Sequence, residues 1–164
     1  MKKKSFCTEC RRETKYRLKK KKMQKWIKDK EHEFEITAAV CEECGEEINI
    51  PGLLDRNARE IDEQYRLSEN IVSIDDIHKL MDVYDIGKAP LSLALGFGEI
   101  TITRYLSGQI PSKEYSDSIR RVLEYPRFMM QKLQENRDKV GETAYRKSMG
   151  LAEELDNCFN VSDK

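Results

Sequence analysis

The segments Cys7-Thr8-Glu9-Cys10 and Cys41-Glu42-Glu43-Cys44 form two Cys-x-x-Cys pairs separated by 30 residues. A turn of this spacing directs two sulfur atoms toward one point, and Zn²⁺ takes four thiolates in a tetrahedron at about 2.3 Å. The separation exceeds the usual interval of about 15 to 20 residues, so the intervening segment is expected to form a hairpin or small sheet. We therefore expect one structural zinc ion per chain, with these ligands: Cys7, Cys10, Cys41 and Cys44.

Redox-active cysteine pairs are the alternative interpretation of the same spacing. Two pairs that close a single module favour metal over redox chemistry. Four thiolates leave a metal no open position for water, and the two histidines, His32 and His78, lie far apart in the sequence. No nucleophile motif is present, so we do not expect an enzyme. A thiol oxidoreductase would instead be purified without stoichiometric metal.

Composition limits the class of protein. The 164 residues allow one domain or two small ones. A module of about 44 residues buries too little apolar surface to be stable alone, so it needs an additional stabilising group such as a bound zinc ion. Hydrophobic residues make up 38% and charged residues 37%, which is typical of a soluble, helix-rich protein. No apolar run approaches the roughly 18 residues of a membrane span, and no apolar segment follows the basic N-terminus as in a secretory signal. We expect a cytoplasmic protein with reduced thiols and no membrane partner.

The net charge of zero hides a segregation along the chain. Residues 1–30 carry 14 basic and 3 acidic side chains, whereas residues 31–90 carry 5 basic and 16 acidic ones. The basic segment can hold nucleic acid or an acidic partner. Alternatively, its lysines form a solvated strand surface or face the acidic middle of the chain.

The residues around the cysteines alternate apolar and polar positions as half-buried strands do. This pattern predicts strands over residues 16–18 and 34–40, and a closing strand over 47–50 before Pro51-Gly52. Trp26 and Ile27 are expected to fill the small core between the first two strands. Residues 1–52 are thus predicted to be a zinc-binding, β-rich module.

The rest of the chain is predicted to be helical, which gives an α+β protein: a small β-rich zinc module followed by an all-α domain. Residues 53–69 have helical spacing and are interpreted as a connector. Ser73 and Asp76 match a capping box at the start of the next domain, residues 70–125. Residues 126–164 are expected to form a helical extension.

Two short helical segments, over residues 89–95 and 99–107, are separated by a turn that contains glycine, the pattern of a helix-turn-helix. In such a motif the second helix enters the major groove, and its apolar side packs on the first helix. Leu91, Ala94 and Leu95 suit that packing against Ile102 and Tyr105. The expected DNA-contacting residues are Glu99, Ile100, Thr101, Thr103 and Arg104.

Each of these side chains has a chemical role in that interpretation. Arg104 can pair with guanine O6 and N7 or grip a phosphate, and Ile100 can touch a thymine methyl group. Glu99 can accept from a cytosine amino group, and Thr101 and Thr103 can hold phosphates. The alternative is that Arg104 is a surface arginine on a helix that only packs or dimerises.

The order of these parts resembles a known family. The paired cysteines, the segment Leu95-Gly-Phe-Gly-Glu-Ile-Thr-Ile-Thr-Arg-Tyr105, and the following Ser107-Gly108 and Pro111-Ser112 look like the MqsA (YgiT-type) antitoxins. These proteins join a zinc-binding module to a helix-turn-helix of the XRE class, and the resemblance covers residues 5 to about 125. It implies structural zinc, a dimer that binds a palindromic operator, and an N-terminal module that can hold a toxin.

The chain departs from the family pattern at two positions. Ile100 stands where the family has a polar base-reading residue, and Leu106 stands where many XRE proteins have glutamate. Residues 126–164 extend beyond the shorter antitoxins. They look like the connector of longer relatives that continue into a SocA-like (Panacea) domain.

The sequence therefore predicts a zinc-containing, DNA-binding transcriptional regulator that is the antitoxin of a type II toxin–antitoxin system. Its expected partners are a double-stranded DNA operator, a cognate toxin and a second copy of the chain. Val122, Leu123, Phe128 and Met129 are the apolar candidates for the homodimer interface. The alternative is a protein-interaction module that binds a toxin or another acidic partner, with the helix-turn-helix serving only dimerisation.

Overall fold

The computed structural model describes residues 3–162, which form two compact units divided between Ser68 and Glu69. The first unit contains a four-stranded antiparallel sheet and the second is helical. The predicted fold class, a β-rich module followed by an all-α domain, is confirmed. Along residues 3–162, no helix combines the length and apolar character that crossing a membrane requires.

The sheet is built around one long hairpin. Its strands are β1 (Lys4–Cys7), β2 (Arg12–Ile27), β3 (Lys30–Cys41) and β4 (Glu47–Ile48), hydrogen-bonded in the order β1-β2-β3-β4. Lys28 and Asp29 connect β2 to β3 with φ angles of 50° and 62°, the left-handed pair that a two-residue type I′ turn requires. Both β2 and β3 are longer than the strands predicted over residues 16–18 and 34–40. Apolar and polar residues do not alternate along the lysine-rich part of β2, so the sequence pattern did not reveal its full length.

The position expected for Trp26 was wrong. This side chain is 68% exposed near the tip of the hairpin, where it lies opposite Glu31. The core of the unit instead contains Phe34, which is 2% exposed, and His32 and Tyr65, whose ring centroids lie 5.3 Å apart. The hairpin extends well past this core, so a residue at its tip has little to pack against. Ile27 is half-buried.

Helix α1 (Leu53–Ser68) packs on β3 and belongs to the first unit. Asn57 hydrogen-bonds the backbone of Thr37 through both its carbonyl oxygen and its amide nitrogen, at 3.0 and 2.8 Å. Gln64, two helical turns later, makes the same pair of bonds to Glu35 at 2.8 Å each. The chain therefore divides after Ser68 rather than after residue 52, because the segment interpreted as a connector is fixed to the sheet.

The second unit is helical from α2 onward. Its elements are α2 (Ile74–Val83), α3 (Lys88–Ala94), α4 (Thr101–Leu106), α5 (Lys113–Glu124), α6 (Pro126–Glu135), α7 (Arg137–Val140) and α8 (Glu142–Ser162). The capping box at Ser73 and Asp76 is confirmed, since each side chain accepts a hydrogen bond from the other residue's backbone N–H.

One apolar core runs through all of these helices. Residues from the expected C-terminal extension, including Leu133, Met149 and Ala152, are buried in the same cluster as α2 to α5. Val122 and Met129 are completely buried there. These two residues pack within one chain, so their side chains are not available for the dimer interface that was expected to contain them. Leu123 and Phe128 are half-buried against the same core. The segment that was expected to be an extension is therefore part of the core of the helical unit and stabilises it.

Candidate metal centre and the exposed face of helix α4

The four predicted cysteine ligands converge. Their sulfur atoms all lie within 4.8 Å of one another, with Cys7 Sγ 3.6 Å from Cys44 Sγ and Cys10 Sγ 3.9 Å from Cys41 Sγ. A tetrahedron with metal–sulfur distances of about 2.3 Å has sulfur–sulfur edges of about 3.8 Å. All four cysteines are free thiols rather than disulfides. The cluster can therefore hold a metal ion.

Two matching turns present the sulfur atoms. The first follows β1, ends with Arg11 at a φ of 53°, and lets the Cys10 N–H approach Cys7 Sγ at 3.5 Å. The second follows β3, ends with Gly45 at a φ of 80°, and directs the Glu43 N–H to Cys41 Sγ at 3.4 Å. Backbone N–H groups aimed at sulfur stabilise thiolates and orient them as ligands.

Thr14 is a buried partner of the cluster that sequence reasoning did not single out. Its hydroxyl lies 3.2 Å from Cys41 Sγ, and the residue is 2% exposed. Hydrogen bonding from Thr14 lowers the pKa of Cys41 to about 6, with help from the backbone of Cys44 and Glu43. No local sequence pattern singles out Thr14, because it comes close to Cys41 only through the pairing of the neighbouring Tyr16 with Cys41.

The Cys10 thiol resists ionisation when no cation is bound. Hydrogen bonding to Cys44, together with burial and the two remaining cysteines, raises the pKa of Cys10 to about 12. Four thiolates at these distances repel one another, and a divalent cation removes that penalty and deprotonates its ligands. Four sulfur ligands are typical of a structural zinc site.

Helices α3 and α4 are joined through a buried serine. Ser92 is completely buried, donates its hydroxyl proton to the Lys88 carbonyl and accepts the Ile102 N–H, both at 3.0 Å. The Ile102 N–H lies in the first turn of α4, where a helix has no backbone acceptor of its own. Ser92 therefore fixes the start of α4 to α3, a contact that the apolar pattern alone did not predict.

The turn between the two helices is equally well fixed. Gly96 has a φ of 78°, a conformation that costs glycine nothing, and the Phe97 N–H donates to the Ser92 carbonyl at 2.9 Å. The Phe97 ring then stacks on Tyr115 of α5 with 4.0 Å between centroids. The expected packing of α3 on α4 is present, since the predicted apolar positions are all buried: Leu91, Ala94, Leu95, Ile102 and Tyr105.

Four of the five predicted DNA-contacting residues are exposed, on α4 or just before it. Glu99 and Ile100 precede α4 and are exposed, with Ile100 54% accessible. Thr103 and Arg104 are exposed on the helix itself, and Thr101 is half-buried. No salt bridge found within residues 3–162 uses Arg104. The exposed side chains are therefore accessible to solvent, and α4 begins at Thr101 and not at Glu99.

Three of the six lysines of β2 form ion pairs within the first unit. Lys20 contacts Glu60 at 3.5 Å, Lys21 contacts Glu47 at 2.8 Å and Lys22 contacts Glu33 at 2.9 Å. Part of the basic segment thus contacts acidic residues from the middle of the chain, which was one of the alternatives expected. Since the lysine side chains remain 41 to 74% exposed, each pair contributes little to stability.

Comparison of the chain with family models, with curated proteins and with solved structures finds no match. The interpretation of both sites therefore depends on their geometry.

Proposed function

We propose that this protein is a DNA-binding transcriptional regulator whose N-terminal unit is stabilised by one zinc ion. The observation that carries the proposal is the α3–α4 pair. Ser92 and the Phe97–Tyr115 stack support a short helix whose exposed side offers Arg104, Thr103 and Ile100. An arginine fork, a hydroxyl and an apolar side chain are the groups that read guanine, phosphate and thymine methyl.

The proposed zinc is structural. It would be held by Cys7, Cys10, Cys41 and Cys44, would leave no position for substrate, and would supply folding free energy to a unit with a small core. No catalytic role follows from such a site. We therefore propose that the protein is not an enzyme, and that it acts in the cytoplasm, where thiols stay reduced.

The finer assignment is that of an antitoxin. It is supported by the resemblance of residues 5–125 to the MqsA-type antitoxins and by the order of the two units, sheet first and helices second. In that role the protein binds a palindromic operator as a homodimer and holds a cognate toxin. Sedimentation of the intact chain at micromolar concentration tests the dimer, and a monomer would contradict it.

Selection of bound duplexes from a random pool tests DNA binding directly. We expect the intact zinc-loaded protein to enrich a two-fold symmetric sequence, with half-sites about one helical turn apart. Binding of the selected duplex should weaken steeply with salt, because phosphate contacts release counterions. Failure to enrich any sequence, with the protein folded and loaded, would remove the proposal.

The exposed hairpin favours a second candidate function, a protein-interaction module in which α3 and α4 serve only dimerisation. Trp26 is 68% exposed and Leu18 is 44% exposed beside a row of lysines. Enrichment of no duplex, combined with tight binding of an acidic protein partner, would favour this candidate.

A further inference from the structure

One edge of the long hairpin is covered and the other is open. Along the β3 edge, Gln64 and Asn57 satisfy the backbone of Glu35 and Thr37, and β4 pairs with Ala39 and Val40. Along the β2 edge, β1 pairs only with residues 12–15, and within the described residues no other strand neighbours β2 on that side. An open edge of this length is a template for another strand.

Ladder geometry identifies which residues face the open edge. In a hairpin with a two-residue turn, Ile27 and Lys30 form a hydrogen-bonded pair, so the odd-numbered residues of β2 bond to β3. Two observed bonds agree with this parity: the Tyr16 N–H points to the Lys3 carbonyl on the β1 side, and the Lys15 carbonyl accepts from Glu42 on the β3 side. The open edge is therefore presented by Leu18, Lys20, Lys22, Gln24 and Trp26.

Charge decides what can pair there. Five lysines lie between residues 18 and 26, so antiparallel pairing of two copies of β2 would set lysine against lysine, which is unfavourable. The surrounding acidic residues reach only part of this charge, because Lys22 remains 74% exposed despite Glu33. An incoming strand with glutamate or aspartate at alternate positions would complement Lys20 and Lys22. An apolar residue at its end would cover Trp26.

We propose that residues 18–26 of β2 bind an extended acidic segment of a partner protein, which adds to the sheet as a fifth strand. Backbone hydrogen bonds would give affinity and the alternating lysines would give specificity. The proposal concerns the first unit alone and does not depend on DNA binding by α4.

Proline substitution at the open edge separates backbone pairing from charge. The Gln24 N–H faces away from β3, so Gln24→Pro removes a donor that the hairpin does not use, and edge positions tolerate proline. The matched control is Gln24→Ala, which keeps the donor, and neither variant changes the charge. Metal content and the slow hydrogen exchange of the odd-numbered amides check that each variant is folded.

The probe is a fluorescent decapeptide in which glutamate alternates with valine or threonine, titrated against the intact zinc-loaded protein. We expect wild type and Gln24→Ala to bind it equally and Gln24→Pro to bind at least tenfold more weakly. Hydrogen exchange followed by NMR should show the even-numbered amides of residues 18–26 exchanging rapidly in the free chain. These amides should become at least tenfold slower with peptide bound.

Several results would overturn the proposal. Equal binding by the two Gln24 variants would mean that the lysines act by charge alone, and absence of peptide binding at millimolar concentration would mean that the edge takes no acidic strand. Tighter binding of a single-stranded oligonucleotide, with no protection of the even-numbered amides, would assign the lysines to phosphates. A dimer that forms without peptide and is lost in Gln24→Pro would assign the edge to a second copy.

Discussion

Two buried hydroxyl groups, those of Thr14 and Ser92, hold the sites of this protein in place. Thr14 supports the Cys41 sulfur at 3.2 Å, and Ser92 accepts the Ile102 N–H at 3.0 Å. A hydroxyl is small and can donate and accept at once, so it can satisfy a polar group inside a packed region without bringing charge. Hydrophobic periodicity does not reveal such residues. The sequence therefore predicted the four cysteine ligands but not Thr14, which supports one of them.

Replacing Thr14 by valine keeps the shape of the side chain and removes the hydroxyl. We expect Thr14→Val to bind zinc about 10- to 100-fold more weakly, because the hydrogen bond that favours the Cys41 thiolate is lost. Competition with a chromophoric chelator measures the affinity. The control is Thr8→Val in the first cysteine turn, where the side chain is exposed and wild-type affinity is expected. Equal affinities for the two variants would contradict the role given to Thr14.

At the scale of the elements, one buried hydrogen bond joins α3 to α4 in addition to their apolar packing. Ser92→Ala would leave the Ile102 N–H buried without its acceptor, so we expect the free energy of unfolding of the helical unit to fall by about 1 to 3 kcal/mol. Urea denaturation followed by circular dichroism measures the change.

Ser107→Ala is the matched control for that prediction. Ser107 is exposed and its hydroxyl bonds only to the Thr103 carbonyl within its own helix, so we expect a change of less than about 0.5 kcal/mol. If Ser92→Ala were as stable as Ser107→Ala, the start of α4 would not be fixed by α3.

The elements also show which features of the fold could be predicted from the sequence and which could not. The capping box at Ser73 and the cysteine turns are local patterns, so their chemistry is visible in a few residues. The position of Trp26 depends on how far β2 and β3 continue past the core, and no local pattern sets that length. The placement of α1 depends on side-chain amides that reach the backbone of β3 from another element.

At the scale of the whole molecule, the two units are expected to differ in what stabilises them. The first has a small apolar cluster around its cysteines, whereas the second has one core that joins all of its helices. Structural zinc contributes on the order of 10 kcal/mol to small domains near neutral pH. The small size of the first module predicted that it needs a bound metal for stability. The sequence did not predict that residues 126–162 belong to the core of the second unit.

Loss of one ligand should therefore unfold only the first unit. We expect Cys41→Ser to bind no stoichiometric zinc and to lose the slow hydrogen exchange of residues 30–41, while the helical unit keeps its protection. Metal analysis and exchange followed by NMR measure both outcomes. The control is Cys158→Ser, because that cysteine is exposed near the end of α8. A Cys41→Ser protein that kept both zinc and its fold would show that four thiolates are not required.

We propose that α4 reads DNA and that the basic hairpin does not. The most direct test compares Arg104→Ala with a variant in which the four lysines 19 to 22 are alanine, on the selected duplex and on a scrambled one. If the guanidinium of Arg104 reads a base as proposed, Arg104→Ala should lose about 1 to 3 kcal/mol of discrimination between the two duplexes. We expect the lysine variant to keep the wild-type preference, since three of those lysines already pair with glutamates of the first unit. The opposite result, in which the arginine variant keeps the preference and the lysine variant loses it, would contradict the account.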